Sequence, residues 1–95
     1  MNKKYATVRT LIGVFFGQDF ENFGDTIEEI MQSYTEYENV TAVKNLKTQV
    51  SELLLITDDN ELNTLMSSLA ERQFEPASWG ESWRSFLLKV EASLF

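Results

Sequence analysis

Residues 15–31 read FFGQDFENFGDTIEEIM, and the rest of the chain is arranged around this run. Phe15, Phe16, Phe20 and Phe23 crowd into it. A packed phenylalanine buries about 150–250 Å², so four of them together predict a pinned corner between helices instead of an open loop. Gly17 and Gly24 supply the backbone freedom that a tight corner needs. Asp19, Glu21 and Asp25 fall between rings that turn inward, which predicts an acidic rim over an apolar floor.

The acidity continues past the corner. From Gln18 to Glu38 the acids are Asp19, Glu21, Asp25, Glu28, Glu29, Glu36 and Glu38, with no lysine or arginine among them. Their summed charge equals the −7 of the whole chain, so acids and bases elsewhere cancel. A charge block of this kind is either a solvated helix face or a surface that steers a basic partner.

Ninety-five residues, 43% hydrophobic and 13% aromatic, predict one folded domain over residues 1–95. Histidine and cysteine are both absent. That removes disulfides, thiol nucleophiles, imidazole or thiolate metal sites and the usual general base near neutral pH. The expectation is no cofactor, no metal and no catalytic residue. LIGVFFG, with Lys3, Lys4 and Arg9 near it, imitates a secretory signal but is short, runs into Asp19 and Glu21, and lacks a small-x-small cleavage site. The reading is a cytoplasmic protein that begins with a helix and has no membrane span.

Periodicity places the helices. Tyr5, Val8, Leu11, Ile12, Phe15 and Phe16 recur at steps of three and four, predicting a helix over 5–16 that Gly17 stops. Asp25 with Glu28 reads as the cap of a second helix over 26–34, with Ile27, Ile30, Met31 and Tyr34 inward. YTEYEN reads as a link, followed by a third helix over 40–55 with Val43, Leu46, Val50, Leu53 and Leu54 inward. Asp58 with Glu61 caps a fourth, running to about residue 72 through Leu62, Leu65, Met66 and Leu69. QFEPASWGES is a turn-rich connection, with Phe74 and Trp79 tucked back. The last helix, 81–94, buries Trp83, Phe86, Leu87, Val90 and Leu94. The fold class is all-α, a compact bundle of about five amphipathic helices.

Two chemical readings are weaker than their structural alternatives. Asp19 with Glu21 or Asp25 can be drawn as an acid and base pair, but capping and turn formation account for the same residues. The run 58–61 lacks the spaced ligands and glycine of a calcium loop, so capping is again preferred. Direct nucleic-acid binding is opposed by the charge. The surface instead suits the basic cleft of another protein. The candidate contacts are the acids Asp19, Glu21, Glu28, Glu29, Glu36 and Glu38, and the aromatics Tyr34, Tyr37 and Trp79, which serve either to close the ends of the bundle or to meet a partner.

Phe16, Gln18-Asp19-Phe20 and Gly24-Asp25-Thr26, followed by the late turn with Pro76, Gly80 and Trp83, resemble the all-helical immunity proteins of bacterial contact-dependent growth inhibition systems. The similarity covers most of the chain; one departure is Gln73, where those proteins carry a cysteine or a small residue. The resemblance implies a non-enzymatic protein that stays in the cytoplasm and binds a cognate toxin C-terminal domain one to one. Joined to the charge, it leads to the expectation of a nuclease toxin, more particularly an RNase, whose basic active-site cleft is covered. The alternative is a small acidic regulator or adaptor that binds a host protein.

Overall fold

The computed structural model describes residues 5–71 and 73–94. Among them the elements are α1 (Ala6–Thr10), a π-helical turn (Leu11–Phe15), a 3₁₀ turn (Phe20–Asn22), α2 (Ile27–Tyr37), α3 (Val40–Leu54), α4 (Asp59–Ala70), a second 3₁₀ turn (Pro76–Trp79) and α5 (Trp83–Ala92). The expected all-α bundle is therefore present, and its buried side chains form one cluster. α5 packs on α2, α3 and α4, and α1 packs on α3 and α4.

The first helix differs from the expectation. Its α-helical part is short, and the Phe16 N–H reaches back five residues to the Leu11 carbonyl at 3.2 Å. This wider turn keeps Leu11, Ile12, Phe15 and Phe16 all buried. It ends where Gly17 passes so near the turn that a Cβ there would lie 2.4 Å from the Gly13 carbonyl oxygen. A methyl group cannot occupy that space without moving backbone.

α2 is longer than expected. Thr35, Glu36 and Tyr37 continue it, and the Glu38 N–H still bonds the Tyr34 carbonyl at 2.9 Å. The break falls at Asn39, whose side chain accepts the Ala42 N–H at 2.8 Å and caps α3. The cap of α2 also falls one residue later than expected. Thr26, not Asp25, accepts the Glu29 N–H at 3.1 Å, and Glu29 Oε1 accepts the Asp25 N–H at 2.8 Å. Asp58 caps α4 as expected, accepting from the Asn60 and Glu61 N–H groups. α4 stops at Glu71, which adopts a left-handed conformation (φ 51°) and pairs with Arg9; residue 72 lies outside the described residues. Ser82 and Ser85 exchange bonds at the start of α5, a reciprocal cap.

Two side chains fasten elements distant in sequence. Arg84 bonds Asp59 and the carbonyls of Leu54 and Ile56, which stitches α5 to the α3–α4 connection. Gln49 on α3 meets the exposed N–H groups at the start of α1: its Oε1 accepts from Thr7 and Val8, each at 3.1 Å, and its Nε2 donates to the Thr7 hydroxyl. A helix N-terminus has unsatisfied donors of this kind, and α1 has no cap from its own Tyr5 side chain. Replacing Gln49 by Ala is therefore expected to cost about 1–2 kcal/mol of stability, read as a lower urea midpoint with an unchanged slope.

Candidate functional site

The corner is held from beneath by aromatic contacts. Phe15 meets Phe23 with ring centroids 4.5 Å apart and Tyr34 at 5.0 Å, while Phe16 meets Phe86 at 5.0 Å and Phe74 at 5.2 Å. Phe20 lies edge-on to Trp79 at 5.1 Å. The corner is also tied sideways to α2, because the Ser33 hydroxyl donates to the Phe23 carbonyl at 2.6 Å. Gly24 fits so closely that a Cβ would stand 2.6 Å from the Glu29 Cβ. The acidic rim is thus set against α2 by rings, by the Ser33 bond and by the Glu29 carboxylate that accepts the Asp25 N–H.

Glu28, Glu29 and Glu36 are exposed on α2. At about 100° per residue they occupy an arc of roughly 100°, opposite the buried stripe of Ile27, Ile30, Met31 and Tyr34. Asp19, Glu21 and Asp25 are exposed on the adjoining corner. Asp19 borders a cleft formed with Gly13, Val14, Gln18 and Gln73, so it belongs to the rim of the corner and not to the α2 arc. Glu38 is half-buried where α2 ends. Among the described residues, no ion pair joins a base to these acids; the pairs formed are Arg9 with Glu71, Arg84 with Asp59, and Lys89 with Glu81. Lys89 is a base whose field reaches the face, and Lys44 and Lys47 line a groove with Glu38. The Lys89 ammonium pKa is raised first by the bond to Glu81, with Glu28 adding to the same effect, and Glu81 is held below its usual value chiefly by that bond from Lys89.

The three aromatic candidates separate. Tyr34 is 1% exposed, so its place on a contact surface is corrected: it points inward against Phe15, as the apolar stripe of α2 demands. Burial, reinforced by the nearby Glu38, pushes its phenol up to about 12. Trp79 is half-buried against Phe16, Phe20 and Phe74. Tyr37, one turn beyond Tyr34, is 78% exposed. The sequence alone missed the Ser33 tie and the second task of Glu29 as part of the cap; the one signal was the spacing of Thr26 and Glu29, which fits a capping box.

The carboxylate pairing of Asp19 with Glu21 or Asp25 gains no support, since all three stand in solvent. Among the described residues no group of His, Cys, Asp or Glu has the geometry to hold a metal ion, and no helix is long and apolar enough to cross a membrane. An ordered aromatic frame inside and an exposed acidic face outside describe a small all-helical protein. The chain belongs to the CdiI immunity protein family, whose family model matches residues 4–94. Its role is that of a toxin-neutralising immunity protein. No curated protein and no solved structure gives a significant match to the chain.

Glu29 and its neighbours differ in what they do for the fold. Glu29→Ala removes a cap bond and is expected to cost about 0.5–1.5 kcal/mol, whereas Glu21→Lys and Glu36→Lys should shift stability by less than about 0.5 kcal/mol; thermal melts distinguish them. Tyr34 makes stability fall in alkali. Its folded pKa, about 12, exceeds the unfolded value of about 10, so its contribution is complete below about pH 10 and is lost as pH rises through the folded value. Phenolate absorbance should show Tyr34 ionising together with unfolding, and Tyr34→Phe should remove that component.

Proposed function

We propose that this protein binds the C-terminal toxic domain of its cognate contact-dependent growth inhibition toxin, one to one in the cytoplasm, and neutralises it by covering a basic active-site cleft. The toxin is a nuclease, more particularly an RNase, and the immunity protein acts by occlusion without turnover. The observation that carries the reading is the exposed acidic face of the corner and α2, with no lysine or arginine from Gln18 to Glu38. A cleft that binds a phosphate backbone is cationic. A rigid surface of opposite charge is drawn to it at long range and holds off nucleic acid itself. Glu21, Glu28 and Glu36 are the main steering charges, because they are exposed and take no part in the cap of α2. Asp19 and Glu38 add to the field from the two ends, and Glu29 contributes both charge and cap. Trp79, already packed on three rings, backs the corner and gives the partner an edge.

The test is stopped-flow association with the toxin domain encoded beside this chain, rendered inactive and titrated with salt. The association rate is expected to fall at least about tenfold between low and physiological ionic strength, and Glu21→Lys with Glu36→Lys should lower it at low salt while shifting stability by less than about 0.5 kcal/mol. A flat salt dependence would contradict the basic-cleft reading.

A further inference from the structure

We propose that Tyr37 is the anchor of this face and that its ring receives a cationic side chain, lysine or arginine, from the toxin. The inference rests on the reading above, that the acidic face meets the toxin.

Among the described residues, Tyr37 is the aromatic side chain that stands mostly in solvent; the others are buried or half-buried. Its ring is nevertheless supported from one side. It meets Phe15 and Phe23 with centroids 6.3 Å away in both cases and planes at 75° and 84°. Those two rings are themselves in contact, and Phe15 is buried. The core therefore orders the Tyr37 ring before any partner arrives. A pre-ordered ring loses little conformational freedom on binding, which is the property of an anchor residue at an interface.

The surroundings select the charge of the guest. Glu36 and Glu38 flank Tyr37 in the chain, and Phe23, against which the ring rests, comes two residues after Glu21. The bases of α3, Lys44 and Lys47, line a groove with Thr35, Glu38, Val40, Val43 and Leu94, so Glu38 faces them and Glu36 is the flanking acid left on the exposed face. Thr35 and Tyr37 project about 200° apart around α2, so that groove opens on the other side of the helix. The face of an aromatic ring is the negative end of its quadrupole. An anion is repelled there by both ring and carboxylates, and an apolar side chain gains only contact area. A cation gains the ring face and the field of the exposed acids of α2 together.

The test measures dissociation constants with the neighbouring toxin domain for the wild-type chain, Y37F and Y37L. Y37F should bind within about threefold of wild type, and Y37L should bind at least about tenfold more weakly, chiefly through faster dissociation. A series of phenylalanines at position 37 with increasing ring fluorination keeps the shape while draining the ring face of negative charge, so affinity should fall stepwise. This series also decides the matter if Y37L folds poorly. Equal affinity across the fluorinated series overturns cation recognition. Equal affinity for Y37L and wild type overturns the anchor while leaving the acidic-face reading intact. No complex with the wild-type chain overturns both.

Discussion

Phe15 and Phe16 stand side by side at the end of the π-helical turn and enter two different aromatic groups. Phe15 joins Phe23, Tyr34 and Tyr37; Phe16 joins Phe74, Trp79 and Phe86. The first group holds the corner and α2, the second holds the late turn and α5. Truncating a buried phenylalanine typically costs about 3–5 kcal/mol, a large part of the roughly 5–15 kcal/mol available to a domain. The wider π turn is what lets both rings reach inward from one short element, and Gly17 is what lets the chain leave it. The corner adds a second link between the two groups, through Phe23 on Phe15 and Phe20 on Trp79, and the bundle is built on this joined frame.

That arrangement frees the acidic face, Glu29 excepted, from structural duty. The corner is positioned by rings, by the Ser33 bond to the Phe23 carbonyl and by the close seat of Gly24 on Glu29. Charges are spent on the fold elsewhere, where Arg9, Arg84 and Lys89 each find an acid. Exposed pairs of that sort add little stability, but they leave the field of the acidic window largely unopposed. Its carboxylates repel one another, a small cost in the free protein that a cationic partner relieves on binding.

The parts legible in the sequence are those decided locally. Clear apolar periods, with Asp58 as the cap of α4, put α3, α4 and α5 close to their expected places, while the caps at Asn39 and Ser82 emerge from the structure. The π turn could not be read because residues 11, 12, 15 and 16 suit an α-helical stripe equally well; only the bond from Phe16 to Leu11 separates the two. Asp25 and Thr26 are both competent caps with an acid three residues on, Glu28 or Glu29, so the local pattern fits either register, and the bonds of Thr26 and Glu29 separate them. YTEYEN looked like a link because its residues are polar. Tyr37 belongs to α2 because Phe23 and Phe15 wait for its ring, a tertiary cause. The same fact separates Tyr34 from Tyr37: one turn of helix carries the side chain from the middle of the core to its edge. Gln49 gave no signal at all, since its partners lie some forty residues earlier.

Acids and ring perform different physical tasks at the proposed interface. Long-range charge acts on the encounter and is weakened by salt, because exposed charges interact across solvent. A ring in van der Waals contact acts after water has left, and therefore on dissociation. Glu21, Glu28 and Glu36 can change without disturbing the corner, and Tyr37 can change while Phe15 and Phe23 still meet. The residues that carry the family resemblance, among them Phe16, Phe20 and Gly24, have no such freedom, since each is engaged in the frame. A fold divided in this way holds its frame constant while steering and anchoring can be adjusted separately.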